Sequence, residues 1–405
     1  MTTYLIPVNN YLSERVNRLH ESATIAMARL SRELTEQGHN IISLSLGEPD
    51  FVTPKIICDA AKKAMDDGFT HYAPISGFSD LRKAISEKFK RENNLDFKPE
   101  QIVVSTGAKQ SIANVVMCLI NHGDEVIIPA PYWVSYSQVI ELAGGVPVFL
   151  QTKIENDFKP TADEIKNSIT PNTKMLIYSS PCNPTGSMFS KEELKAIAEV
   201  IVPHPQIYIV SDEIYEHIHF EMKHETIAQF DFIKDRVIVV NGVSKGYAMT
   251  GWRIGYIGAP VDVAKACDKM QGQYTSGANS IAQKAALAAV SLDWKQFEFM
   301  RESFLNRRDL MLRLLREIPG LKMNKPHGAF YIFPDVSYYF GRKNENTTIH
   351  NATELCMYLL SDAKVSVVTG EAFGDNNCVR FSYATSEDLL TEASRRIKES
   401  LARLS

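Results

Sequence analysis

The chain has 405 residues, of which 44% are hydrophobic and 23% charged, with a formal net charge of −4. That length allows one large domain or two to three ordinary ones, and the slightly acidic balance gives no reason to expect nucleic acid or an anionic membrane as a partner. No apolar run approaches the roughly 18 residues that span a bilayer, the first residues carry no secretion signal, and six scattered cysteines without Cys-x-x-Cys spacing predict reduced, mostly buried thiols in a cytoplasmic protein with no bound metal.

From the N-terminus, residues 13–37 read as largely helical. The middle of the chain then alternates amphipathic stretches with short β-branched runs. These are Ile102-Val-Val-Ser105, Glu125-Val-Ile-Ile128, Met175-Leu-Ile-Tyr178, Ile207-Tyr-Ile-Val210, Arg236-Val-Ile-Val-Val240 and Ile254-Gly-Tyr-Ile257. Apolar runs without alternation fit strands covered on both faces, as in a helix-flanked, mostly parallel sheet. Between them lie helices such as 190–199, which opens with a Ser190 cap and Glu193 three residues later. Residues 295–316 read as one long charged helix, 328–333, 365–368 and 379–382 as strands, and 387–404 as a closing helix. The pattern predicts a large central α/β domain over 49–295, a smaller α+β domain from 21–48 and 296–405, and an N-terminal arm over 1–20.

The chemistry gathers at the ends of the central runs. A lysine, Lys245, follows an apolar strand and is surrounded by small residues, in Asn241-Gly-Val-Ser-Lys-Gly-Tyr-Ala-Met-Thr-Gly-Trp-Arg253. Burial there would lower its pKa and leave a nucleophilic amine, while Arg253 supplies a fixed charge suited to phosphate. An amine beside a phosphate-binding guanidinium points to a covalently held phosphorylated aldehyde, pyridoxal phosphate. In an open parallel sheet, ligands bind outside the carboxyl ends of the strands, so the other strand-end segments would line the same crevice. Gly107-Ala-Lys109 is either an ordinary small-residue turn or a helix start offering N–H groups to a phosphate. Asp212, after four apolar residues, is either half of a structural ion pair or the partner of a pyridine nitrogen. Trp133 can be a core aromatic or a stacking face, and Asn183 a turn residue or a donor to a phenolate oxygen, with Tyr215 doing the same from the other side. Arg380, in a strand-like run, needs an anion, internal or from a substrate.

Together these residues resemble a known set. Gly242-Val-Ser-Lys-Gly-Tyr-Ala-Met-Thr-Gly-Trp-Arg-Ile-Gly255 is similar to the attachment signature of the class I, fold-type I, pyridoxal-phosphate-dependent aminotransferases. Asn183-Pro-Thr-Gly186, Asp212-Glu-Ile-Tyr215 and Arg380-Phe-Ser-Tyr-Ala384 follow in that family's order and spacing. Further matches are Gly47-Glu-Pro-Asp-Phe51, Tyr72-Ala-Pro and Pro131-Tyr-Trp-Val-Ser-Tyr136, and the likeness is strongest to bacterial-type aspartate aminotransferases. The resemblance implies a large domain built on a mostly parallel seven-stranded sheet, plus a smaller α+β domain. It implies that Lys245 carries the cofactor, Asp212 pairs with the ring nitrogen, Tyr215 and Asn183 hold the ring hydroxyl, and Trp133 stacks on the ring. Arg253, with the turn of Gly107, Ala108 and Lys109, would bind the phosphate, and Tyr72 would reach the phosphate of a partner subunit in a homodimer. Arg380 would clamp the substrate α-carboxylate beside Gly47 and Asn183. Many members carry a hydroxyl residue where this chain has Gly242, which leaves one phosphate contact in doubt.

Substrate choice falls on fewer residues. Lys109, with Ser22 and Thr24, matches the positions that receive the distal carboxylate in aspartate-specific members, so the expected reaction is transfer of the amino group of L-aspartate to 2-oxoglutarate. Members that also transaminate prephenate carry a lysine where this chain has His20. The alternatives are another amino donor (aromatic, alanine or kynurenine) or a carbon–sulfur lyase on the same scaffold. A transcription regulator with an aminotransferase-like domain is disfavoured, because the residues before 20 leave no room for a DNA-binding module.

Overall fold

In the computed structural model, residues 11–344 and 347–405 are described. The first half of the expected N-terminal arm, including the start read for a secretion signal, lies outside the described residues. The strands, in chain order, are β1 (Ile42–Ser43), β2 (Ile102–Ser105), β3 (Glu125–Ala130), β4 (Val146–Gln151), β5 (Thr173–Ser179), β6 (Tyr208–Asp212), β7 (Val237–Gly242), β8 (Gly255–Gly258), β9 (Tyr331–Ile332), β10 (Val365–Ser366), β11 (Val368–Thr369) and β12 (Val379–Ser382). The helices are α1 (Glu14–Arg18), α2 (Ala23–Glu36), α3 (Lys55–Asp66), α4 (Ser79–Asn93), α5 (Ala108–Leu119), α6 (Ser135–Leu142), α7 (Ala162–Asn167), α8 (Lys191–Ile201), α9 (Val261–Tyr274), α10 (Ser280–Ser291), α11 (Glu298–Arg316), α12 (Ala352–Tyr358) and α13 (Glu387–Leu401). None is long and apolar enough to cross a membrane.

Seven strands form one sheet in the order β2-β8-β7-β6-β5-β3-β4. All run in one direction except β8, which is antiparallel to both of its neighbours. The reversal makes β7 and β8 two arms of a hairpin, and the connection between them carries Lys245 and Arg253. Side chains alternate between the two sheet faces. Ile102 and Val104 pack with α3, α4, α8 and α10 in one core, while Val103 packs with α5, α6 and α9 in another. Covering on both faces is why these strands read as unbroken apolar runs.

A third core gathers around α11 and α13. It joins Ile42 and Leu44 near the N-terminal side to Tyr331, Val365, Val379 and Phe381 from the last third of the chain. Its sheets are small: β1 pairs with β10 in parallel, and β12 lies between β11 and β9 with antiparallel pairing on both sides. The fold is thus α/β with a large, mostly parallel sheet and a smaller α+β unit.

Local departures from the sequence reading have physical causes. The helix expected over 13–37 is interrupted at 19–22, where the backbone N–H of His20 is held by the Gln138 side chain at 2.8 Å. Ser22 heads α2 without capping it, so its hydroxyl remains available to the cavity it lines. The run 365–368 divides between two sheets, with β10 and β11 separated by Val367. Strand β4, at the open edge of the large sheet, was not expected from sequence: Pro147 and partly exposed side chains break its apolar pattern.

Candidate active site

The carboxyl ends of β2, β3, β5, β6 and β7 open onto one cavity of about 290 Å³, near the lower end of the range for small-molecule sites. Asp212, the last residue of β6, is 4% exposed. Its Oδ2 accepts the Tyr136 hydroxyl at 2.8 Å and its Oδ1 the Ile214 N–H at 3.2 Å. Burial pushes the carboxyl up to about 6, against the opposing pull of these two donors.

Lys245 lies in the connection after β7. Its Nζ donates to the Gly47 carbonyl and lies 5.7 Å from the centre of the Tyr215 ring. Burial brings the ammonium down to about 8; Arg380 and Arg253 act in the same direction, and Glu48 and Asp212 oppose it. The loop holding Lys245 is braced from behind. His217 packs so closely on Gly246 that an added Cβ would meet its ring at 2.6 Å, and His217 stacks on Trp294 and bonds Glu92 at 2.9 Å.

Arg380, from β12, is 1% exposed. It donates to Asn183 Oδ1 at 2.9 Å and to the Ser45 carbonyl at 2.7 Å, between the rings of Tyr331 and Phe373. Its Nε is buried without a partner. Tyr215 is buried, and its hydroxyl shares a hydrogen bond with that of Tyr331 at 2.7 Å. Burial raises the Tyr215 phenol well above its ordinary value, so it stays a neutral donor.

Gly107 stands immediately before α5 with φ +83° and ψ 159°, a backbone region that suits glycine almost alone. A Cβ there would run into the Arg253 guanidinium. Ala108 and Lys109 form the first turn of α5, whose free N–H groups and positive helix end favour an anion. Arg253 itself donates to the Thr250 carbonyl at 2.9 Å. Lys109 Nζ lies 5.2 Å from the centre of the Trp133 ring, and burial and the Arg253 charge lower its pKa. Trp133 meets Tyr136 edge-on at 5.5 Å.

The structure therefore brings together Lys245, Asp212, Tyr215, Asn183, Trp133, Arg253, Arg380, Gly47, Ala108, Lys109, Ser22 and Thr24 around one cavity, with Gly107 behind Arg253. It does not bring Tyr72 there: that side chain is 97% exposed and away from its own chain's cavity. Sequence reasoning missed Tyr136, Ser179, Ser244, Thr250 and Tyr331, which also line it. Ser179 could have been found, since it ends β5 opposite Asp212 in the strand register. Ser244 and Thr250 supply hydroxyls around the site where Gly242 has none. At Gly242 a Cβ would meet the backbone of Ile254 and Gly255 at 2.9 Å, so the closeness of β7 and β8 favours glycine there.

These features fit pyridoxal phosphate with a dicarboxylic substrate. Among the described residues, Lys109, Arg253 and Arg380 form no ion pair with a carboxylate, giving three cations for a phosphate and two carboxylates. Three of the buried side-chain atoms without partners among the described residues, Thr24 Oγ1, Ser179 Oγ and Arg380 Nε, belong to residues that line this cavity.

Comparison with known proteins agrees. The family described as aminotransferase class I and II matches residues 39–397. The chain is 44% identical over 389 residues to an aspartate aminotransferase of Bacillus subtilis, covering 96% of this chain and 98% of that one. It is 44% identical to an aspartate/prephenate aminotransferase of Cereibacter sphaeroides, covering 98% and 100%. Among solved structures, the aspartate aminotransferase from Rhizobium meliloti superposes with a TM-score of 0.94 at 40% identity, covering 97% of this chain and 99% of that one.

Proposed function

Since the chain belongs to the class I and II aminotransferases, and is a pyridoxal-phosphate enzyme, we propose that it transfers the amino group of L-aspartate to 2-oxoglutarate, giving oxaloacetate and L-glutamate. The observation that carries the substrate is Lys109, whose ammonium lies on the cavity beside Trp133, Ser22 and Thr24 and has no carboxylate of its own among the described residues. A second carboxylate on the substrate supplies it.

When bound, the cofactor supplies an aldehyde for the substrate amine and a ring that accepts electrons from the broken Cα–H bond. The chain's residues do the rest. Asp212 would hold the proton on the ring nitrogen, Tyr215 and Asn183 would donate to the ring oxygen, and Trp133 would cover the ring. Arg253 and the N–H groups at the start of α5, from Ala108 and Lys109, hold the phosphate. Arg380 fixes the α-carboxylate beside Gly47 and Asn183, Lys109 the distal one with Ser22 and Thr24. The Lys245 amine would be the base that takes the proton from the substrate Cα. The two substrates use one site in turn, so the kinetics are ping-pong.

The active unit is a homodimer in the cytoplasm. Tyr72, fully outside its own cavity, would reach the partner's phosphate, and the six cysteines are all free thiols. The unit of 21–48 and 296–405, which carries Arg380, would close on the unit of 49–295 over the substrate and exclude water. His20 lines a groove of about 680 Å³ that adjoins the cavity through Ser22, Lys109, Val134 and Ser135. Its imidazole in place of a lysine argues against prephenate as a second acceptor.

The test is an amino-donor screen with 2-oxoglutarate as acceptor, with prephenate run as a second acceptor. Aspartate should be the best donor. Lys109→Met should lower kcat/KM for aspartate about tenfold or more while leaving an aromatic donor nearly unchanged. A better turnover with aromatic or alanine donors, equal losses in the variant, or elimination without an oxo acid would each replace this reading.

A further inference from the structure

Tyr136, in the first turn of α6, is 1% exposed. Its hydroxyl donates to Asp212 Oδ2 at 2.8 Å. The only other donor to that carboxylate among the described residues is the Ile214 N–H on Oδ1. One side-chain hydrogen bond thus holds a carboxylate that has been taken almost wholly out of water. The geometry points to Tyr136 as a positioning residue, the group that keeps Asp212 ionised and its plane fixed, and through Asp212 governs the proton on the cofactor ring. This rests on the reading that Asp212 faces the ring nitrogen.

The surroundings show why one phenol matters. A buried carboxylate loses hydration, and the ionised form survives only where donors replace the lost water. At Asp212 burial is the largest influence, raising the carboxyl to about 6, and the Tyr136 hydrogen bond is the largest opposing one. The Ile214 N–H and the Lys245 charge help, and Glu213 opposes. Around the phenol itself, Ser179 stands opposite Asp212 in the β5–β6 register, and the Cys182 thiol lies near. Burial and the Asp212 charge keep Tyr136 protonated, so it remains a donor whenever Asp212 is charged. Tyr136 also meets Trp133 edge-on at 5.5 Å, which gives it a packing role that the experiment must separate from the electrostatic one.

The apoenzyme separates them, because Asp212 can be titrated there without any substrate. The carboxyl stretch of Asp212 is assigned by infrared difference against Asp212→Asn and followed with pH. In Tyr136→Phe the titration should move up by about 1–2 pH units, the worth of one hydrogen bond to a charged group. In 3,5-difluorotyrosine at 136, a near-isosteric and stronger donor, it should move down. With cofactor bound, Tyr136→Phe should lower kcat about tenfold with KM for aspartate changed less than twofold, and cofactor affinity should fall in the native background but not in Asp212→Asn. An unmoved titration in the fluorinated protein, or an equal loss of affinity in both backgrounds, overturns the proposal and leaves Tyr136 as packing for Trp133. Failure of the native chain to bind pyridoxal phosphate would instead undo the functional reading, with the Asp212 titration untouched.

Discussion

Burial at the active site drives both central charges toward neutrality, Asp212 up to about 6 and Lys245 down to about 8. Both remain mostly charged at pH 7, and that state costs stability. For Asp212 the native carboxyl binds its proton more tightly than the unfolded one, whose pKa is about 3.9. Stability is therefore lost as pH rises from about 4 to about 6, and the loss is complete above that window. The cost is on the order of 3 kcal/mol, from roughly two pKa units at 1.36 kcal/mol each. Removing the charge in apo Asp212→Asn should recover part of this: its stability relative to the native apoenzyme, read from urea midpoints, should be greatest near pH 8 and shrink toward pH 4. A difference that is flat with pH would mean that Asp212 is not under strain. This residue was legible in sequence because an acid closing an apolar run, one serine after Ile207-Tyr-Ile-Val210, is conspicuous. Tyr136 was not, because an aromatic on a helix start reads as core until its hydroxyl is seen to face a carboxylate.

At the scale of elements, the site depends on how strands end. The turn from β2 into α5 needs glycine at 107 for its backbone and for the guanidinium lying against it. Gly107→Ala should lower cofactor affinity about tenfold or more, since a non-glycine residue in that region costs roughly 1–3 kcal/mol, and equilibrium dialysis of the apoenzyme would show it. Unchanged affinity would mean that the turn does not hold the phosphate. The central strands of the large sheet could be read from composition alone, because covering by helices on both faces leaves short apolar runs in the middle of each. The order of the strands, the reversal of β8 and the edge strand β4 could not: register and neighbour choice are set by contacts far apart in the chain. The break between α1 and α2 was hidden for a similar reason. The Gln138 side chain that holds the break is 118 residues away.

At the scale of the whole molecule, the proposed dimer adds what no single chain contains. In the proposed dimer Tyr72 serves the neighbouring site, so each site draws Lys245 from one subunit and Tyr72 from the other. Mixing Lys245→Ala with Tyr72→Ala subunits in equal amounts should then regenerate activity. After free exchange half of the dimers are hybrids with one intact site, giving about a quarter of native activity. No recovery despite exchange would place Tyr72 outside catalysis. The clamp proposed at Arg380 has the same reach within one chain. The residues proposed to hold the cofactor through this chain lie between 107 and 253, whereas Arg380 is held by the Ser45 carbonyl, 335 residues away in sequence. Order of synthesis follows from that layout. The residues for the cofactor leave the ribosome 127 residues before Arg380 (380 − 253), or roughly 6–25 s earlier at about 5–20 residues per second. A nascent chain therefore carries everything its own half of the cofactor site requires well before it can grip a substrate.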